Sequence, residues 1–189
     1  MENVFQQKAA RIKEICLEQT GKSPVAIAKT IMQDELVGMH GPEHHMADGA
    51  AFLTAMHNAG AVFDLKEALD EMERRGAKMP GATCGQWGVC GSASSVGAAL
   101  SIIHQTGPLS DNEFYKDNLR FTSMALCRLA DIGGPRCCKR NAFISLKTAV
   151  EFVKERYDIE LWSEEVICTF SHKNGQCIKE KCPFYPKKG

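Results

Sequence analysis

Apolar residues recur at helical spacing along most of the chain. Phe5, Ala9, Ile12 and Cys16 share one face of residues 2–19, the signature of an amphipathic helix. Ser23 followed by Pro24 makes an N-cap and first-turn pair that opens a second helix through Ile27 and Ile31. Pro42 starts a third helix, from Glu43 to about Asn58, closed by Gly60. Its many small residues (Ala47, Gly49, Ala50, Ala51, Ala55) allow neighbouring helices to come close. Asp64 and Glu67 form a capping box for a fourth helix that ends near Arg75 and Gly76.

Residues 77–90 read as a glycine-rich loop. A fifth helix follows, from Gly91 to Thr106, stopped by Gly107-Pro108. Ser110 and Glu113 form another capping box, for a sixth helix running to Asp131. Gly133-Gly134-Pro135 separates it from a long seventh helix that buries Phe143, Leu146, Val150 and Val153. Glu165 to Cys168 is the only short strand candidate. The expected fold is an all-α bundle of about seven helices over residues 1–160. An irregular cysteine-rich tail, residues 161–189, should pack on it as part of one unit.

Composition narrows the function. A chain of 189 residues, 44% apolar, can bury a sizeable core without metals or disulfides. Lys+Arg and Asp+Glu balance at 23 each, which argues against a dedicated nucleic-acid binder and against a polybasic membrane anchor. The first residues lack the basic-then-apolar signal pattern and no window reaches the length of a membrane span, so a cytoplasmic location is expected. In that reducing compartment nine cysteines point to metal binding or catalysis rather than disulfides. Cys16, among apolar neighbours, reads as a small buried hydrophobe, and Cys127 is assigned the same role.

Four constellations remain. Cys84-x5-Cys90 leads into the fifth helix, with glycines at 85, 88 and 91 that let backbone approach a ligand. Cys90 stands at that helix N-terminus, where the dipole should favour thiolate. In Gly133-Gly134-Pro135-Arg136-Cys137-Cys138-Lys139-Arg140, Pro135 at the first helical position would place both cysteines in the first turn beside basic residues. Adjacent helical residues diverge by about 100°, so one of Cys137 and Cys138 is expected to ligate a given metal. The plain alternative is one core cysteine and a solvated basic face. The tail carries Cys168-x8-Cys177-x4-Cys182, resembling the front of CCCH zinc fingers but without their final histidine. His172, or one of Cys84, Cys90, Cys137 and Cys138, could complete a four-ligand site, and three cysteines could also hold a [4Fe–4S] cluster. Last, in His40-Gly41-Pro42-Glu43-His44-His45, His44 and Asp48 share a helix face at i,i+4, a common acid–base or supporting arrangement. His57 and His104, alone on apolar helices, read as structural.

The ordered motifs HGPEHH, CGQWGVCGSASSVGAALSI, GGPRCCKRNAF and C-x8-C-x4-CPFYP resemble a cysteine-rich domain-of-unknown-function family of anaerobic bacteria and archaea. That family occurs alone or fused to methyltransferase domains. The resemblance covers most of residues 35–186 and implies a metalloprotein linked to methyl or sulfur chemistry. The sequence thus supports two expectations. One is an iron–sulfur protein using Cys84, Cys90, Cys137 or Cys138 and the tail cysteines, with Cys90, His44, His45 and Arg136 shaping a pocket for a small anionic or thiol substrate. A redox protein or a methyltransferase would be its partner. The other is a zinc-stabilised interaction module without catalysis.

Overall fold

The computed structural model describes residues 2–187. Among them are eight α-helices, two short 3₁₀ turns and no strand: α1 (Glu2–Glu18), α2 (Pro24–Gln33), α3 (His44–Asn58), α4 (Leu65–Gly76), α5 (Thr83–Gln86), α6 (Gly91–Ile103), α7 (Glu113–Ile132) and α8 (Cys138–Tyr157). The all-α expectation therefore holds. The eighth helix is the one-turn α5, which forms inside the predicted glycine-rich loop. Glu165 to Cys168 runs extended without pairing as a strand. No helix among the described residues is long and apolar enough to cross a membrane.

Local signals set most boundaries. Ser23 accepts the Ala26 amide at 3.1 Å, and Asp64 accepts the Glu67 amide at 2.8 Å, as capping chemistry requires. Two starts differ from expectation. Asn112, not Ser110, caps α7 by accepting the Tyr115 amide at 3.2 Å, while Ser110 Oγ instead takes the Gly107 amide at 3.0 Å. At α8 the cap is Cys137; Pro135 follows a cis peptide bond and lies outside the helix. The two cysteines are therefore split between cap and first helical residue.

α3 is the central element, buried continuously from His44 to Met56. Its small residues let α4 and α6 approach at backbone distance. A Cβ on Gly49 would lie 2.5 Å from Met72 Sδ and 2.7 Å from the Ser95 carbonyl oxygen, and the Gly49 amide donates to Ser95 Oγ at 2.8 Å. α1 contributes Ile12, Ile15 and Cys16 to the core, and α8 contributes Phe143, Leu146 and Val153. Cys16 is buried as expected, whereas Cys127 is exposed on α7. Cys127 is a correction: α7 buries Phe121 and Ala125 on one stripe, and residue 127, two positions on from Ala125, faces away.

The tail adds Leu161, Val166, Phe170 and Phe184 to the buried set. Phe184 meets Phe143 of α8 edge-on at 5.4 Å. The Cys168 amide donates to the Phe184 carbonyl at 2.7 Å, closing the tail on itself.

Gly49→Ala should destabilise the protein by about 1–2 kcal/mol in chemical denaturation. Overpacking costs about 1–3 kcal/mol and improved helix propensity returns at most about 1. A Gly49→Ala variant as stable as the parent would show that α3 and α6 are not in backbone contact.

Candidate functional site

The predicted cysteines gather in two chambers on opposite sides of the first turn of α8. The first chamber is lined by Cys137, Cys168, Cys177 and Cys182. Its other walls are chiefly apolar, including Met39, Phe143, Phe170 and Phe184. The tail forms this chamber because each of its cysteines sits on a tight turn whose amide returns to the sulfur. Phe170 N–H donates to Cys168 Sγ at 3.4 Å and Lys179 N–H to Cys177 Sγ at 3.4 Å; the Phe184 amide does the same for Cys182. Cys137 Sγ accepts the Arg140 amide and Asn174 Nδ2, both at 3.5 Å. Asn174 Oδ1 in turn lies 3.2 Å from His40 Nε2, so the histidine steadies the amide that holds the sulfur. Burial pushes the Cys168 and Cys182 thiols above their ordinary pKa, and the Arg140 guanidinium partly offsets this at Cys182. His172 is exposed and lies outside this chamber, whereas Cys137 lines it with the three tail cysteines.

The second chamber is a cleft lined mainly by polar side chains. His44, His45 and Asp48 come from the start of α3, Cys84 from α5, Cys90 and Ser92 from the start of α6, and Cys138 from α8. Arg136 and Cys84 are exposed at its mouth. Gly91 makes the arrangement possible, because a Cβ there would overlap the His45 ring. His45 Nδ1 stands 3.3 Å from the Met79 carbonyl, which fixes a proton on Nδ1 and leaves Nε2 as an acceptor. Burial lowers the His45 pKa, favouring the neutral ring. His44 Nδ1 lies 3.9 Å from Asp48 Oδ1, the i,i+4 pairing expected of the sequence.

Cys90 caps α6, as its position implies, yet burial raises its thiol pKa despite hydrogen bonds from the Ser92 and Ala93 amides and from Asn141 Nδ2, the last at 3.3 Å. The helix N-terminus thus supplies donors to the sulfur without making it acidic. Desolvation outweighs them. Burial likewise pushes the Cys138 thiol up to about 11.

Between the chambers lies Lys139, 1% exposed. Its ammonium donates to the Gly38 carbonyl at 2.9 Å, stands 3.5 Å from His44 Nε2 and lies 5.1 Å above the Phe170 ring. Burial drops its pKa to about 8. Arg140 is also buried, donating to the Gly133 and Pro135 carbonyls at 2.9 and 3.0 Å. The basic run is therefore an internal brace, with only Arg136 on a solvated face. Asn141, Asn174, Ser92 and Thr83 are site residues that carry no sequence signal by themselves; only the fold brings them to the cysteines. His57 packs edge-on to Phe63, and His104 stacks on Phe114 at 4.0 Å, both away from the two chambers. Among the described residues no group of three or more His, Cys, Asp or Glu side chains is gathered tightly enough to hold a metal ion.

No curated protein and no solved structure matches the chain. A family model does, over residues 12–185, which span both chambers and every helix from within α1 onward: the chain belongs to DUF5714, a family of unknown function.

Proposed function

We propose that Cys137, Cys168, Cys177 and Cys182 hold an iron–sulfur cluster that serves redox or sulfur-transfer chemistry in the adjoining cleft. The observation that carries this reading is the placement of consecutive residues, Cys137 in the four-cysteine chamber and Cys138 in the polar cleft. The donor set fits: four sulfurs, each with at least one N–H directed at it, in a chamber with chiefly apolar walls. Around a single zinc ion, with Zn–S about 2.3 Å, tetrahedral sulfurs sit about 3.8 Å apart. Cysteines around a cluster are held apart by the cluster body, so their sulfurs need not converge on one point.

When bound, the cluster would supply or take up electrons one at a time. The chain's own residues would do the rest. Asn174 and the tail amides would stabilise thiolate charge, Phe143, Phe170 and Phe184 would exclude water, and Lys139 would place a buried positive charge beside an anionic centre. In the cleft, Cys90 and Cys138 are the candidate reactive thiols, and neutral His45 offers Nε2 as a proton acceptor. Electrons would come from a redox-protein partner; a methyltransferase is the other partner class that the family resemblance suggests.

One observation favours a second reading. The three tail turns, each returning the amide two residues on to the cysteine sulfur, also suit a closed structural zinc site. In that case the protein would be a zinc-stabilised interaction module.

Protein purified without oxygen should contain iron and acid-labile sulfide in comparable amounts, with visible absorption that fades on reduction. Cys137→Ser should lose most of that iron and colour, whereas Cys138→Ser should keep them. One equivalent of zinc without colour would overturn the cluster reading in favour of the module, and protein without either metal would overturn both. Thiol alkylation followed by peptide mass spectrometry supplies a further check. Cys84 and Cys127, both exposed, should react first near neutral pH. A raised pKa means little thiolate at that pH, so the rates at Cys90 and Cys138 should still be climbing above pH 9.0, the ordinary thiol value. Rates at these two that level off below it would contradict the burial argument.

A further inference from the structure

Nine buried side-chain polar atoms among the described residues lack a hydrogen-bond partner, and five of them belong to residues that line the polar cleft: His44 Nδ1, both carboxylate oxygens of Asp48, Thr83 Oγ1 and Ser92 Oγ. The other four are scattered over His40, His104, Asn118 and Ser145. Asp48 is 0% exposed, and His44 Nδ1, at 3.9 Å, stands beyond hydrogen-bond distance. Folded proteins pair their buried polar groups, and a carboxylate left without donors is costly, so this concentration marks where a ligand supplies what the chain does not.

The ligand's character follows from what is missing. The Asp48 carboxylate asks for N–H or O–H donors and for positive charge, while His44 Nδ1, according to its tautomer, and the two hydroxyls can serve either way. His45 adds another acceptor, since its Nδ1 proton is committed to Met79. A purely anionic substrate, the expectation from sequence, would meet Asp48 on the cleft wall with like charge. At the exposed mouth the sign reverses, because Arg136 is the one Lys or Arg of the lining. Cys90 and Cys138 line the same space.

We propose that the cleft binds a small zwitterionic α-amino thiol, its ammonium group against Asp48, Ser92 and Thr83, its carboxylate toward Arg136 and its sulfur beside Cys90 and Cys138. This deepens the reading of the cleft as a site of thiol chemistry and rests on it for the sulfur's role. The recognition of the ammonium stands on Asp48 alone. Asp48 is thereby a specificity-determining residue that sequence reasoning places only as a partner of His44.

The test is isothermal titration calorimetry on the full chain, purified and titrated without oxygen, with three thiols. L-cysteine carries both charges, cysteamine lacks the carboxylate and 3-mercaptopropionate lacks the amine. L-cysteine and cysteamine should bind, and 3-mercaptopropionate should bind at least roughly tenfold more weakly, the scale of one charge-assisted hydrogen bond. Asp48→Asn should weaken L-cysteine and cysteamine by about tenfold or more and leave 3-mercaptopropionate unchanged or tighter. A general loss of structure would weaken all three alike. Arg136→Met should weaken L-cysteine but not cysteamine. Equal binding of all three thiols to the parent protein would overturn the proposal, as would no binding of either amine; that comparison decides the matter even where Asp48→Asn does not fold. Because binding is read as heat and not as turnover, protein that proves to lack iron while still selecting the amine would sink the cluster and keep this inference.

Discussion

Everything in the candidate site depends on how closely α3 and α6 can approach. Two helices with ordinary side chains at their contact pack about 8–10 Å apart. Here the contact is made by Gly49 against Ser95, with a backbone amide donating directly to a side-chain hydroxyl at 2.8 Å. That crossing brings the first turn of α3, with His44, His45 and Asp48, to the first turn of α6, with Cys90, Gly91 and Ser92. Gly91 then does for the imidazole what Gly49 does for the backbone, since the His45 ring occupies the space that a Cβ would fill. The small-residue pattern in the two helices is thus as much a condition for the cleft as the polar residues that line it.

The second constraint is the first turn of α8. Successive helical residues point about 100° apart, so neighbours at a helix start can serve two different spaces. Cys137, at the cap, faces the tail; Cys138, the first helical residue, faces the cleft. Lys139 is left with no route to solvent. Its ammonium spends its hydrogen bonds on the Gly38 carbonyl and on His44, and it sits over the Phe170 ring. A buried ammonium is costly unless compensated, and the compensation here ties loop 38–43, α3 and the tail to one side chain. Glu43 reinforces the same loop by accepting Lys8 at 2.8 Å and the Gly38 amide at 2.9 Å.

The sequence made legible what depends on near neighbours. The caps at Ser23 and Asp64, the amphipathic faces of α1 and α8 and the burial of Cys16 follow from spacing and local hydrogen bonding, and they appear as expected. The tail cysteines lie within fifteen residues of one another, with Gly175 just before Cys177 and Pro183 just after Cys182, and could be grouped for the same reason. What failed depended on competition or on distant parts of the chain. Ser110 and Asn112 are both competent caps, and Ser110 is taken by the Gly107 amide, so the choice was not written in either residue. Pro135 suits a helix start, yet the chain turns once more before α8 begins. Cys127 sits two positions on from Ala125 of the buried stripe of α7, which turns it away from the core. Lys139 and Arg140 read as a basic surface, because nothing local announces that carbonyls from residues 38, 133 and 135 surround them.

The two chambers also differ in a way that bears on their roles. In the four-cysteine chamber every sulfur has an amide or amide side chain aimed at it and the walls are chiefly apolar; apart from the His40 ring nitrogen behind Asn174, the orphaned polar atoms lie elsewhere. That is the economy of a site meant to be occupied permanently. The cleft is the reverse: a carboxylate without donors, two hydroxyls without partners and thiols kept protonated by burial. Such groups are scattered singly over four residues elsewhere, and the fold gains no stability from gathering five open atoms here. The open groups make sense as one half of an interaction whose other half comes and goes. On that ground we assign the proposed cluster to Cys137 and the tail, and the proposed substrate to the cleft of Cys90, Cys138 and Asp48.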